Sequence, residues 1–447
     1  MSALWRFTLH KILAAAVITH MEKSKEIKMT KSQKKEVISV IGLGIVGLTT
    51  AVGFALKGHE VIGIDIDPDK VRNINEGICP IYEEGLSEAL KKVKITATTD
   101  HARALSSDIS FLCGGTPPKA DGSIDLFFLE EPAKQLAEVL KTKETYHLIV
   151  VRSTVIPGLA EKVISPIFNN SNEIGICVNP EFLQEGTAIE NFMAPDRIVV
   201  GANDSRAGDM LEKLYSSFES PLLRTDLKTA EMIKQASNAF LSTRISFINE
   251  IGNICREMGI DVYQVAKGMG YDRRIGSEYL RAGIGFGGFC LPKDLSALIE
   301  AAKELGYTPR ILEEVLRLNN EQPQRMIKLL KKHIPSLKGK SIGILGLAFK
   351  PGTDDVRKSK AIEIVEALLK EGAQVRTYDP EAMTNFKRLF SGQLKYSNPE
   401  DVLASDATLI LTEWDEFNDL DYREKVVIDG RMVPKAREAK IYEGIGW

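Results

Sequence analysis

From Glu36 to Gly42 the chain is apolar at Val37, Ile38, Val40 and Ile41 and then breaks at a glycine turn. A short apolar run closed by turn residues predicts a buried strand. A helix through Val52 to Lys57, a strand Glu60 to Asp65, and buried strands at Asp108 to Cys113 and His147 to Arg152 follow. This alternation predicts a parallel sheet with crossover helices. Between Lys228 and Gly259 there is no proline, and Ile233, Ala236, Phe240, Ile245, Ile248 and Ile251 recur at helical spacing. One long helix, or two nearly continuous ones, is expected. Helical character continues through Leu295 to Leu330, and Pro335 with Gly339 marks a linker. Strand Ser341 to Leu345, helix Lys360 to Lys370, and strands Gln374 to Tyr378 and Ala407 to Thr412 then repeat the opening plan. Leu105-Ser-Ser-Asp108 and Leu403-Ala-Ser-Asp406 each precede a strand, while Asp65 and Asp379 each close one. The expected class is α/β, with two Rossmann-like doubly wound parallel-sheet domains joined by a long central helix and a helical region. The expected boundaries are 36–225, 226–335 and 336–447, after an extension over 1–35.

Composition narrows the function. At 447 residues the chain exceeds one ordinary core. With 44% hydrophobic residues, 27% charged residues and a net charge of -3, it falls in the globular range and gives no reason to expect nucleic acid. Cys79, Cys113, Cys177, Cys255 and Cys290 include no CxxC pair and no metal-ligand spacing, so neither a disulfide framework nor a metal site is expected, and reduced thiols suit the cytoplasm. No run reaches the roughly 18 to 20 apolar residues that span a bilayer. The short apolar run Ile12 to Ile18, followed by lysines from Lys23 to Lys35, reads as a disordered or mis-called extension rather than an export signal, with Met21 and Met29 as alternative starts.

Gly42-Leu-Gly44-Ile45-Val46-Gly47 follows a strand and opens a helix. The glycines permit a tight turn, close approach of a pyrophosphate and helix-on-strand packing, with the anion on the helix N-terminus. Asp65 stands 23 residues after Gly42 at the end of the second strand. A carboxylate there accepts hydrogen bonds from the adenosine ribose and repels a 2'-phosphate, which favours NAD over NADP. Lys70 lies close enough to bear on that choice, although read alone it is a solvated helix charge.

Three segments cluster polar groups. In Asn179-Pro-Glu181-Phe182-Leu183-Gln-Glu185-Gly the two glutamates are four apart and share a face if the turn is helical. On the long helix, Lys234 and Asn238 stand one turn apart beside an apolar face. Gly285-Phe286-Gly287-Gly-Phe289-Cys290-Leu-Pro-Lys-Asp294 delivers a cysteine from a glycine loop just before a helix start. A thiol at a helix N-terminus is easier to ionise, and a thiolate traps an aldehyde. Each has a bland alternative: a small buried hydrophobe for Cys290, a snorkelling surface residue for Lys234, a helix cap for Glu181.

Taken together these segments resemble the signature of the UDP-glucose 6-dehydrogenase family, within the wider UDP-glucose and GDP-mannose dehydrogenases. Further matching phrases are Ser153-Thr-Val, Pro195-Asp-Arg-Ile, Asn238-Ala-Phe-Leu, Asp272-Arg-Arg274-Ile-Gly276 and Gly346-Leu-Ala-Phe-Lys350 running to Arg357, so that the likeness covers nearly everything from Val37 onward. The resemblance implies two successive hydride transfers to two NAD molecules, with Cys290 capturing the intermediate aldehyde and a thioester then hydrolysed. It implies that Lys234 and Asn238 stabilise the oxyanions. Asp294 matches the family's water-positioning aspartate, Glu181 the general acid/base of thioester hydrolysis, and Thr154 a holder of water. Thr116, Thr154, Glu185 and Arg357 fall on the cofactor side. For the sugar nucleotide the resemblance points to Glu181, Phe182, Leu183, Glu185, Lys234 and Asn238, to Arg281, Gly283, Phe286 and Gly287, and to Lys350 and Arg431. Arg274 matches an arginine reaching into a partner's site, which implies a homodimer or higher homo-oligomer built on the long helix. The chain departs from the family's habit at Ile45 for tyrosine, Leu159 for threonine and Phe289 for serine, the last beside the nucleophile.

The expected activity is therefore four-electron oxidation of UDP-glucose, with GDP-mannose or a UDP-N-acetylhexosamine as alternative substrates. A two-electron hydroxy-acid dehydrogenase needs neither Cys290 nor the segment Lys340 to Trp447. A binding protein that has lost activity would not keep every reacting position filled.

Overall fold

The computed structural model describes residues 35–168 and 173–447. The expectation for the N-terminal extension, Lys35 apart, lies outside them. Glu36–Trp447 pack as one compact unit built on two sheets.

The first sheet holds β1 (Val37–Ile41), β2 (Glu60–Ile64), β3 (Ile95–Thr98), β4 (Ile109–Leu112), β5 (His147–Val151), β6 (Ile174–Val178), β7 (Ile198–Ala202) and β8 (Leu222–Thr225). Their spatial order is β3-β2-β1-β4-β5-β6-β7-β8, and all pair parallel except β6 with β7. Ile38 and Val40 enter one core with Phe54 and Phe111, whereas Ile41, Ile62 and Ile64 enter another with Leu129 and Leu136. Both faces are covered, which is why these strands read as continuous apolar runs rather than alternating ones.

The second sheet holds β9 (Ser341–Leu345), β10 (Gln374–Tyr378), β11 (Lys395–Tyr396), β12 (Ala407–Ile410), β13 (Val426–Asp429) and β14 (Ile441–Gly444), all parallel, in the order β11-β10-β9-β12-β13-β14. The winding is that of the first six strands of the larger sheet, 3-2-1-4-5-6. In both sheets the order reverses beside the first strand, so both glycine turns sit where such sheets bind ligands.

Between the sheets runs one continuous helix, Leu227–Met258, capped by the Asp226 carboxylate on the Thr229 N–H and ended by Gly259 at φ 69°. Of the apolar positions that recur along it, Ile248 is buried and Ile233, Ile245 and Ile251 pack against the cores, whereas Phe240 faces outward. Glu231, Lys234, Gln235, Asn238, Ser242, Ser246 and Asn249 are buried, while Phe240 is 61% exposed and Met232, Phe247, Ile254 and Met258 are exposed with it. Polar residues share the buried side with Leu227, Ala230, Ala239, Ile248 and Cys255, and they make supporting hydrogen bonds there, such as Ser246 Oγ to the Val315 carbonyl at 2.9 Å. The helical character expected from Leu295 to Leu330 is two helices, Cys290–Glu304 and Arg310–His333. Gly306 at φ 78° and Pro309 divide them, since neither continues a right-handed helix.

Candidate functional site

At the first glycine turn, Gly42 adopts φ 89° and its N–H bonds the Ile64 carbonyl at 2.8 Å. A Cβ on Gly47 would stand 1.8 Å from the Gly42 carbonyl oxygen, so only glycine lets the helix Ile45–Leu56 close on the turn. A Cβ on Gly44 would meet nothing within 4 Å. Gly44 is the helix's N-cap without a side-chain cap, and Ile45 and Val46 begin the first turn, so N–H groups are left for an anion. These features fit the pyrophosphate of a dinucleotide. Alanine at Gly44 is accordingly expected to leave the melting temperature unchanged, because φ there is -72°, yet to weaken NAD binding. A loss of about tenfold or more in an NAD titration checks it.

Asp65 closes β2 with Oδ2 accepting from the Leu43 N–H at 2.6 Å and Oδ1 from the Asp67 N–H at 3.1 Å. Lys70 is not a solvated helix charge. Its ammonium lies 2.9 Å from Asp65 Oδ2, pulled in by a mostly buried carboxylate. Asp379 ends β10 in the equivalent place but is wholly buried, and Leu347, Ala348, Glu381 and Ala382 N–H groups and the Trp414 indole consume its oxygens. The second turn therefore has no carboxylate to offer a ribose.

The chemical centre forms where the long helix meets the start of the helix Cys290–Glu304. Cys290 is that helix's first residue, and Asp294 lies one turn on. Asn238 Nδ2 donates to Asp294 Oδ2 at 2.6 Å, and the Lys293 ammonium holds Oδ1 at 2.5 Å and Thr116 Oγ1 at 3.2 Å. Thr116 Oγ1 donates onward to the Thr154 carbonyl at 3.0 Å. Lys234 Nζ and Glu181 Oε1 are 3.0 Å apart with both side chains 6% exposed. Burial alone would lower the Lys234 pKa, but Glu181, Asp294 and Cys290 outweigh it and hold the ammonium charged. Burial likewise opposes ionisation of Glu181, yet Lys234, the Leu183 N–H and Arg152 keep its pKa below the usual carboxylate range.

Two expectations fail here. The condition on which Glu181 and Glu185 would share a face is not met, because residues 179–184 form no helix and the turn of this segment comes only at 185–186. Glu181 Oε2 accepts from the Leu183 N–H at 2.6 Å and faces Lys234, while Glu185 Oε1 accepts from Thr353 Oγ1 at 2.5 Å, so the two carboxylates serve different neighbours. Nor is Cys290 easily ionised. The residue is exposed to solvent, yet the desolvation its sulfur feels, then Glu181 and Asp294, push its pKa up to about 12 against the pull of Lys234 and Lys293.

The rim of the site comes from the glycine loop and the second sheet. A Cβ on Gly287 would stand 2.4 Å from the Lys358 carbonyl oxygen and one on Gly283 2.7 Å from that of Gly430, so the loop lies backbone to backbone against the second domain. Asn319 fixes the loop by accepting the Phe286 N–H at 2.7 Å and donating to its carbonyl at 3.0 Å. Lys350 donates to the Glu185 carbonyl, and burial lowers its pKa against Glu185, Glu83 and Cys290. Arg431 bonds the Leu411 carbonyl at 2.9 Å, and Arg281 pairs with Glu413 at 3.0 Å. Arg357 is chelated by Asp355 and lies 4.5 Å from the centre of the Phe289 ring. Phe182 packs under Arg197 at 3.7 Å and near Lys234 at 5.4 Å. Arg274 stands outside this cluster, 89% exposed and bound to Asp272.

The sequence reading missed several supports. Lys293 is a second buried lysine beside the thiol, visible in the quoted loop but given no role. Glu83 is buried and accepts the Gly186 and Ala188 N–H groups at 2.9 and 2.8 Å, fixing the turn after Glu185. Glu231 accepts the Gly158 and Ala160 N–H groups, and Gln235 bonds the Val155 carbonyl at 3.0 Å, so the long helix also holds the loop after Thr154. Burial pushes the Glu231 pKa up to about 7. Among the described residues there is no cluster able to hold a metal ion, and no helix is long and apolar enough to cross a membrane.

Three family models match the chain in order: the NAD binding domain of the UDP-glucose/GDP-mannose dehydrogenase family over residues 36–219, its central domain over 228–321, and its UDP binding domain over 343–436. The chain belongs to the UDP-glucose/GDP-mannose dehydrogenase family. It is 43% identical to a UDP-glucose 6-dehydrogenase of Haloferax volcanii over 91% of this chain and 99% of that one. It is 40% identical to a UDP-glucose 6-dehydrogenase of Bacillus subtilis over 92% and 93%. A solved UDP-glucose dehydrogenase from Pyrobaculum islandicum superposes with a TM-score of 0.92 at 41% identity, covering 94% of this chain and 100% of that one.

Proposed function

We propose that this protein is an NAD-dependent dehydrogenase that oxidises the C6 alcohol of UDP-glucose to the carboxylate of UDP-glucuronate, with Cys290 as the covalent nucleophile. The observation that carries the reading is a solvent-reachable thiol set electrostatically among Lys234, Glu181 and Asp294. The glycine turn and Asp65 would hold two NAD molecules in succession, each of which would supply one hydride acceptor, the first for formation of the aldehyde and the second for formation of the thioester. Cys290 Sγ attacks the aldehyde carbon, which retains the reactive intermediate. Because the thiol is held protonated, its proton must leave as the bond forms, and we assign Glu181, kept anionic by Lys234, as the base that takes it. The Lys234 ammonium and the Asn238 amide then answer the negative charge on oxygen in each tetrahedral species. Asp294, gripped by Asn238 and Lys293, orients the hydrolytic water with Thr154 nearby, and hydrolysis returns the thiol.

Gly42, Gly44, Gly47, Asp65 and Lys70 form the NAD cradle in this reading, with Thr116, Glu185 and Arg357 on its inner side. Lys350, Arg281 and Arg431 take the diphosphate end, and Phe182, Leu183, Gly283, Phe286 and Gly287 shape the sugar pocket. The exposed stripe Phe240, Phe247 and Ile254 recurs every seven residues on the long helix, the spacing that packs a helix against its own copy, so we assign a homodimer in which Arg274 reaches the partner's site. Five unpaired cysteines agree with a cytoplasmic location. NADH release measured with UDP-glucose, GDP-mannose and UDP-N-acetylmannosamine tests the assignment. Two NADH per UDP-glucose and the highest kcat/KM for it are expected. One NADH per turnover, or preference for another sugar nucleotide, overturns it.

A further inference from the structure

Arg152 follows the last residue of β5 and is 5% exposed, yet among the described residues no carboxylate lies within ion-pair distance of it. Its Nε donates to Thr50 Oγ1 at 3.0 Å, on the helix of the glycine turn. Its Nη1 donates to both oxygens of Asn179, the carbonyl at 3.3 Å, and to Tyr215 Oη at 3.3 Å. Tyr215 Oη donates in turn to Asn179 Oδ1 at 2.6 Å, and Asn179 Nδ2 to the Val199 carbonyl at 2.8 Å. One guanidinium thus joins the ends of β5 and β6 to two helices, immediately before Pro180 and Glu181.

A buried cation bonded only to neutral acceptors keeps most of its desolvation cost unless an anion lies within electrostatic reach. Lys234, at 3.0 Å, and then Arg152 are the cations that favour the Glu181 carboxylate, and the Cys290 and Cys113 thiols also feel its charge. Counting the buried groups of the centre, Lys234, Lys293 and Arg152 stand against Glu181 and Asp294, which leaves one positive charge over. That surplus suits a site where sulfur and oxygen become anionic in turn.

We propose that Arg152 is a positioning residue for the reaction: it clamps the segment Asn179-Pro180-Glu181 through Asn179 and supplies a second buried cation within electrostatic reach of the Glu181 carboxylate. The inference rests on the assignment of Glu181 made above. Its test is kcat and KM for UDP-glucose and NAD across about pH 5.5 to 9 in the full-length enzyme, for Arg152→Met, Arg152→Lys, Tyr215→Phe and Glu181→Gln. Arg152→Met is expected to lower kcat by about 10- to 100-fold with both KM values within about threefold, and to move the acid limb of the kcat profile to higher pH. Arg152→Lys keeps the charge and is expected to restore the limb while recovering only part of kcat. Tyr215→Phe is expected to lower kcat without moving the limb. A folded Arg152→Met enzyme with the parent's kcat and profile overturns the proposal. Should that variant fail to fold, Arg152→Lys and Tyr215→Phe enzymes both matching the parent do the same. A Glu181→Gln enzyme of parental activity removes Glu181 from the reaction and takes this proposal with it. An inactive Glu181→Gln beside unaffected Arg152 variants sinks the clamp alone.

Discussion

Replacing Cys290 with serine is expected to cut acid formation from UDP-glucose by about three orders of magnitude or more, since loss of a covalent nucleophile removes the path rather than one contact on it. The fold should not notice. Cys290 is exposed and its side chain makes no hydrogen bond among those of the described residues, so the melting temperature and NAD affinity are expected to match the parent's. The contrast between an intact cofactor titration and a lost NADH yield is the measurement, and acid produced at the parent rate would end the covalent mechanism. The thiol's pKa of about 12 adds a second readout. Alkylation of the parent by iodoacetamide should rise roughly tenfold per pH unit well past pH 8, because only the thiolate reacts. A plateau near neutrality would mean that the sulfur is ionised and needs no base.

The backbone was largely legible because buried parallel strands advertise themselves. His147–Val151 and Ser341–Leu345 appear as apolar runs ending in glycine or polar residues, and the helix Lys360–Lys370 and strand Gln374–Tyr378 were read to the residue. What a run of letters cannot supply is the direction of side chains in irregular chain. Glu181 and Glu185 share a face only if the chain between them is helical, but it is irregular and sends one to Lys234 and the other to Thr353. Helical spacing groups Phe240 with Ile248, yet Ile248 is buried and Phe240 is exposed, because the spacing alone does not say which edge of the helix is covered. The thiol was misjudged for a related reason: a helix N-terminus favours ionisation, yet desolvation and two neighbouring carboxylates from distant segments outweigh it. Arg152 left a trace, a charge ending an apolar strand, but its partners Thr50, Asn179 and Tyr215 are brought together only by the fold. Glu83 left none.

Lys234 and Glu181 allow the largest stability effect to be separated from the chemistry. Both are buried, and removing one partner of such a pair leaves an uncompensated charge, at a cost of about 3 to 5 kcal/mol. Lys234→Met is therefore expected to be strongly destabilised at pH 8. The sign of its pH dependence should also reverse. In the parent, Glu181 has a depressed pKa, so its contribution is present above the ordinary carboxylate range and is lost as pH falls through the folded value. Without Lys234, burial dominates and the folded pKa rises above the unfolded one; the variant then gains stability as pH falls from 8 toward 5, when Glu181 takes up a proton. Urea unfolding at the two pH values measures both effects. The double variant Lys234→Met with Glu181→Gln removes both charges of the pair, leaving Arg152 on its neutral hydrogen-bond partners, and is expected to recover to within about 2 kcal/mol of the parent. Its turnover should stay down by about a hundredfold or more, because neither the oxyanion's cation nor the base has been restored. Recovery of turnover along with stability would show that the pair only braces the fold, and the chemistry would have to be reassigned to Asp294 and Lys293.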